Sequence, residues 1–279
     1  MDSLVTTQWL ADHLDAPDLR VVDASYYLPE HKRDARAEYA ADHIPGALFL
    51  DLATFADPGS SLPSMVPSVE LAEERLGSLG IGNGTRVVVY DDSPLHSAAR
   101  GWWLLRLFGV AEVAILDGGL AKWRAEGRPT AHGIDSAEPA AFAAATAPER
   151  VRDINQMTAN LTSGAEQVID ARSPARFEGR EAETRPNTEA GHIPGARNLH
   201  YATLFNPDGT WKRGAALAQA FADQGVDLDR PMVATCGSGI TAAALVFGAH
   251  LLGHDAALYD GSWAEWGATP AAPKATGPA

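Results

Sequence analysis

The 279-residue sequence contains a single cysteine, Cys236, so neither an intrachain disulfide nor a multi-thiolate metal site can form. Cations are scarce: 22 Lys and Arg stand against 36 Asp and Glu, a formal charge of −14. A general phosphate-backbone binder needs the opposite balance, so nucleic acid is not an expected partner. A small anion held by a local group of arginines remains compatible with this charge. Long apolar runs are also missing. The longest, Thr241 to Gly253, has 13 residues and includes His250, too short to span a bilayer. The start, Met1-Asp2-Ser3-Leu4, carries no basic n-region, so no secretory signal is expected and a cytoplasmic location is. What is present is ordinary globular composition, 46% hydrophobic and 21% charged, which excludes disorder and a coiled coil. At roughly 150 residues per domain, the length suggests about two domains.

The chain repeats itself. His43-Ile44-Pro45-Gly46-Ala47 recurs unchanged from His192 to Ala196, and Val21-Val22-Asp23-Ala24 matches Val168-Ile169-Asp170-Ala171. Val87-Val88-Val89-Tyr90-Asp91 matches Met232-Val233-Ala234-Thr235-Cys236, and Leu116-Asp117-Gly118-Gly119 with Trp123 matches Tyr259-Asp260-Gly261-Ser262 with Trp266. These blocks stand at offsets of 149, 147, 145 and 143 residues. Four matches in one order at nearly one spacing mean duplication. The expected organisation is an N-terminal domain over 1–130, a linker over 131–152 rich in small residues and proline, and a C-terminal domain over 153–279. Within each copy, short β-branched runs such as Arg86 to Tyr90 alternate with helical patterns such as Ser97 to Phe108. That alternation predicts an α/β fold with a mainly parallel sheet flanked by helices in each domain. Sites in such sheets form beyond the carboxyl ends of the strands.

Cys236 stands at such an end. In Thr235-Cys236-Gly237-Ser238-Gly239-Ile240-Thr241-Ala242 a strand stops, two glycines permit a tight curl, and an alanine-rich helix begins. A loop of this kind turns backbone N–H groups inward as an anion-binding nest, with the helix N-terminus adding positive potential. A thiol in that setting is favoured as the thiolate, the nucleophilic form. A phosphatase cradle of the Cys-x5-Arg type requires an arginine six residues on, and Ala242 stands there instead. Phosphatase chemistry is therefore disfavoured.

The duplicated blocks and the Cys236 loop together resemble the two-domain rhodanese family of sulfurtransferases, over a span from about Val5 to Trp266. The resemblance implies two tandem rhodanese-like domains with the reactive cysteine in the second, consistent with Asp91 at the Cys236 position of the first. It implies ping-pong chemistry through a Cys236 persulfide, with no metal and no organic cofactor. Family members that prefer thiosulfate carry basic residues straight after the cysteine. Those that prefer 3-mercaptopyruvate carry Cys-Gly-Ser-Gly-Val-Thr, which Cys236 to Thr241 resembles with Ile240 for valine. By the same resemblance Arg176 and Arg185, nine apart, hold the substrate's carboxylate and keto group, a task suited to planar guanidinium forks.

The expected function is thus transfer of sulfur from 3-mercaptopyruvate, releasing pyruvate, to cyanide or to a thiol such as thioredoxin or glutathione. The expected site is Cys236 and Ser238 as catalytic residues, with Arg176, Arg185, Gly237, Gly239, Ile240 and Thr241 binding substrate. The family's acid and histidine from the first domain fall on Ala53 and Ser64, so that pair is lost. His96, after the strand end at Asp91, is a candidate replacement. Thiosulfate as the donor, or a non-catalytic sensing or binding module, are the alternative readings.

Other residues are read as structural. His43 and His192 occur in both copies and read as turn-holding. His250 and His254 lack a third ligand. Gly80-Ile81-Gly82-Asn83-Gly84 precedes a strand and reads as a turn, and Trp102, Trp103, Trp123, Trp263 and Trp266 read as packing. Asp23 and Asp170 recur at strand ends and read as scaffold.

Overall fold

The computed structural model describes all 279 residues. The chain divides into two compact units, one comprising 1–58, 66–147 and 207–211, the other 59–65, 148–206 and 212–279.

The first unit contains β1 (Leu4–Val5), α1 (Thr7–His13), β2 (Leu19–Asp23), α2 (Ala35–Ala41) and β3 (Leu48–Phe49). It continues with α3 (Val69–Ser78), β4 (Arg86–Tyr90), α4 (Ala98–Leu107), β5 (Val113–Leu116) and α5 (Gly119–Ala125). The second unit contains β6 (Val151–Arg152), α6 (Ile154–Ser163), β7 (Gln167–Asp170), α7 (Pro174–Phe177) and β8 (Arg197–Asn198). Then come α8 (Gly214–Ala222), β9 (Met232–Thr235), α9 (Ala242–Leu251), β10 (Ala257–Tyr259) and α10 (Ser262–Trp266). The strand orders are β1-β5-β4-β2-β3 and β6-β10-β9-β7-β8, the same order once each strand is matched to its repeat partner. Every pairing is parallel. Duplication in the sequence is duplication of topology.

Parallel strands covered on both faces read as continuous apolar runs. Accordingly Val87, Val88, Val89 and Tyr90 of β4 are all fully buried, and Met232 to Thr235 of β9 are nearly so. The helices that follow these two strands, α4 and α9, are buried along almost their whole length, although α4 carries Arg100 and Arg106 among its apolar residues. Gly101 explains how closely α4 approaches its sheet. A Cβ there would lie 3.0 Å from both Ala24 Cβ and Val89 Cγ1.

The repeated histidines tie the turn before β3 and β8 to the helix ahead of it. His43 Nδ1 lies 2.8 Å from Tyr39 O, with its ring stacked on Tyr39, and His192 Nδ1 lies 2.9 Å from Phe177 O, stacked on Phe177. The segment after α5 lies on the first unit through Ala140 N–H to Gly77 O and Ala145 N–H to Phe108 O. No helix is long and apolar enough to cross a membrane.

Candidate active site

Cys236 follows the last residue of β9, a strand held on both edges by β7 and β10, and is buried at 2% exposure. The backbone bonds of the loop fix which way its peptides face. Trp263 N–H donates to Cys236 O at 2.9 Å, and Ala264 N–H donates to Gly237 O at 3.0 Å. No peptide in the chain is cis. In a trans peptide the N–H points away from the C=O, so the N–H groups of Gly237 and Ser238 face the side opposite α10. Gly239 takes φ +79°, the left-handed conformation that carries the curl and favours glycine. The loop then runs into α9 after Thr241, whose N-terminal end adds positive potential on the same side of the sheet. The first N–H of the loop, that of Cys236, donates to Ser262 Oγ at 3.3 Å, and Ser262 Oγ–H donates to Tyr259 O at 2.9 Å. Ser238 and Ile240 are buried, at 4% and 3% exposure.

Arg176 and Arg185 meet at this loop. A Cβ built on Gly237 would lie 3.5 Å from Arg176 Nη2 and 3.5 Å from Arg185 Nη1. Both guanidiniums therefore face the residue next to Cys236, and glycine leaves the space in front of them open. Arg176 sits on the short helix α7, with Ser173 Oγ accepting its backbone N–H. Its Nη2 donates to Glu183 Oε2 at 2.5 Å, and Glu183 Oε1 accepts from Arg172 Nη1 at 2.9 Å. Arg172 Nη2 in turn donates to Asp170 Oδ2 at 2.7 Å and to Gly191 O at 2.7 Å. Burial acts to lower the Arg172 pKa, but the facing carboxylates of Asp170 and Glu183 outweigh it and raise the pKa above the ordinary arginine value. Arg176 is thus tied to the end of β7 through a buried chain of alternating charges. Such a chain is costly to break at any one member, because a lone buried charge remains.

The first copy shows what the same loop does with an acid in the cysteine position. Asp91 O accepts Leu120 N–H at 3.0 Å, as Cys236 O accepts Trp263 N–H. The Asp91 carboxylate accepts Ser93 N–H at 3.3 Å and Ala98 N–H at the start of α4 at 2.5 Å. The cradle of the first unit is therefore filled by its own side chain. Burial pushes Asp91 up to about 7 despite these donors. His96 lines the same cavity, and burial holds its pKa down at about 4. With its pKa held there, the imidazole is neutral at ordinary pH. Ser64, at the family's histidine position, adopts φ +59°.

Four contributors to the site are not among the expected residues. Arg172 and Glu183 steady Arg176, and Ser262 anchors the Cys236 amide. Tyr201 donates its N–H to Ala171 O at 3.1 Å, and Ala171 N–H donates to Thr235 O, which sets Tyr201 beside the strand end. Burial, and then the Cys236 charge, raise the Tyr201 pKa. The signal for two of these lies where the copies diverge. Asp23-Ala24-Ser25 becomes Asp170-Ala171-Arg172, and Gly119 becomes Ser262.

These features define a tandem pair of parallel α/β domains with a cysteine cradle in the second and a plugged cradle in the first. The model of the rhodanese-like domain matches residues 6–126 and again 153–269, and the chain belongs to that family. It is 42% identical over 271 residues to the 3-mercaptopyruvate sulfurtransferase of Mus musculus, covering 95% of this chain and 91% of that one. It is 40% identical over 272 residues to the thiosulfate sulfurtransferase of Cricetulus griseus, covering 95% and 91%. Among solved structures it superposes on SseA from Escherichia coli, described as a 3-mercaptopyruvate sulfotransferase, with a TM-score of 0.86. The two are 37% identical, covering 95% of this chain and 100% of that one.

Proposed function

We propose that the protein is a sulfurtransferase that takes sulfur from 3-mercaptopyruvate onto Cys236 and passes it to a thiol. The convergence of Arg176 and Arg185 on Gly237 carries this reading, because two planar forks beside a nucleophile suit an α-keto acid. The forks hold the carboxylate and the keto oxygen, which presents the substrate's sulfur to the Cys236 thiolate. Attack forms the Cys236 S–S bond and breaks the carbon–sulfur bond, whose electron pair stays on carbon as the enolate. Protonation of that enolate gives pyruvate. The thiolate of the acceptor then attacks the outer sulfur, the S–S bond breaks, and the Cys236 thiolate is restored as the acceptor leaves as a persulfide. The thiolate and the persulfide are both anions, so the N–H groups of Gly237 and Ser238 and the start of α9 serve both halves of the cycle.

Ser238 and Thr241 are the hydroxyls of the loop available to polarise the substrate. A small-molecule donor and a thiol acceptor follow from the sulfurtransferase relatives. Thioredoxin or glutathione as that acceptor, and a cytoplasmic location, belong to the proposal. Thiosulfate is the second donor, favoured by Ala53 and Ser64 at the family's acid and histidine positions, since sulfite leaves without needing a proton on carbon. The non-catalytic alternative is set aside by the sulfurtransferase relatives over nearly the whole chain.

A single-turnover mixture of enzyme and 3-mercaptopyruvate without acceptor is the test. One pyruvate per chain and a one-sulfur mass gain on the peptide carrying Cys236 are expected. Pyruvate release unchanged by Cys236→Ser would overturn the assignment.

A further inference from the structure

Glu183 is an acid in a site built for anions. Its side chain is fully buried, at 0% exposure, while that of Arg176, which it holds, is 28% exposed. Its two oxygens bind two different arginines, Arg172 at 2.9 Å and Arg176 at 2.5 Å. Asp170, also fully buried, neutralises Arg172 from the other side. Counting Arg185 at the Gly237 face, three guanidiniums stand against two carboxylates, and the cluster keeps one net positive charge.

Resting on the reading above, we propose that Glu183 sets the charge class of the sulfur donor. With it the cluster balances one negative charge, the single carboxylate of an α-keto acid. A dianion such as thiosulfate is left with one charge uncompensated, which costs more beside the buried Glu183–Arg172–Asp170 chain than in bulk water. Glu183 also fixes the angle of the Arg176 fork by holding one of its terminal nitrogens, so the remaining N–H groups meet a planar acid in a set orientation. It is a positioning and specificity-determining residue: it acts on the donor through Arg176 and through its charge.

The experiment is the ratio of kcat/KM for thiosulfate to kcat/KM for 3-mercaptopyruvate, measured in wild type, Glu183→Gln and Glu183→Asp. Glu183→Gln removes the charge and is expected to raise the ratio at least tenfold, mainly through KM. Glu183→Asp keeps the charge but shortens the reach, and is expected to lower both activities with the ratio within about twofold of wild type. Parallel losses in Glu183→Gln with no change in ratio would mean a merely structural acid and overturn the proposal. Should Glu183→Gln fail to fold, inhibition of the wild type decides the matter. The monoanion 2-oxobutyrate is expected to compete at lower concentration than the dianion sulfate, and tighter inhibition by sulfate would overturn the proposal. The donor that wild type prefers tests the functional reading alone, whereas the change of ratio tests Glu183 whichever donor that is.

Discussion

Gly237→Ala separates stability from activity at this site. The added methyl would stand 3.5 Å from Arg176 Nη2 and 3.5 Å from Arg185 Nη1, ordinary contact distances that require no rearrangement. Gly237 is not among the residues of positive φ, so alanine fits its backbone. Replacing glycine at a compatible position restricts the unfolded chain and stabilises by about 0.4–1 kcal/mol. The methyl nevertheless occupies the space in front of both guanidiniums, where the carboxylate of an α-keto acid would sit. Losing one charge-assisted hydrogen bond to the substrate costs about 1.5–3 kcal/mol, or roughly ten- to a hundredfold in kcat/KM. Thermal unfolding followed by circular dichroism, with steady-state kinetics on 3-mercaptopyruvate, measures both sides. The expected outcome is an unchanged or slightly raised Tm with kcat/KM down by that factor, most of it in KM. Retention of kcat/KM within twofold would refute the placement of the substrate between Gly237 and the two arginines.

Other perturbations follow from the same geometry. Arg176→Lys and Arg185→Lys each replace a fork by a point charge, and each should raise KM for 3-mercaptopyruvate about tenfold or more. The double variant should fall short of the product of the two because both act on one substrate, which a double-mutant cycle will show. Asp91, held at about 7, keeps its proton in the folded protein at pH values where the unfolded chain has lost it. Its stabilising contribution is therefore full below about pH 4 and is lost as the pH rises to about 7, an effect of order 4 kcal/mol at most. Asp23, held at about 6 by burial, acts in the same direction. Asp91→Asn should flatten this decline in the unfolding transition of the first domain, and an unchanged slope would contradict the burial argument. Because burial holds His96 near 4, His96→Ala should leave the shape of the kcat/KM profile between pH 5 and 8 unaltered. An inflection that disappears in that variant would restore an acid–base role.

Much of this was legible in the residues because duplication supplies its own control. Blocks shared by both copies, such as His43 to Ala47 and His192 to Ala196, turn out to hold turns, with both histidines bonded to backbone carbonyls. Cys236 stood out because its counterpart is Asp91, and the flanking glycines announced the curl that Gly239 makes. Arg176 and Arg185 were readable only through family resemblance, since nothing local tells two loop arginines from solvated ones. Glu183 and Arg172 escaped because their role lies in burial: a charge run on a loop looks solvated until the fold closes over it. Tyr201 escaped because its position beside Thr235 depends on two backbone bonds through Ala171, which no spacing in the sequence encodes. Ser262 was visible as a departure from Gly119, but its meaning required the bond to the Cys236 amide.

The central claim is that the neutral Cys236 loop and the two arginines select an α-keto acid even with Ala53 and Ser64 in place of the acid and histidine. Steady-state kcat/KM for 3-mercaptopyruvate and thiosulfate, side by side under one set of conditions with Cys236→Ser as the blank, tests it most directly. A large preference for 3-mercaptopyruvate that vanishes in the blank is expected. A preference for thiosulfate would contradict it and give the deciding weight to the missing histidine.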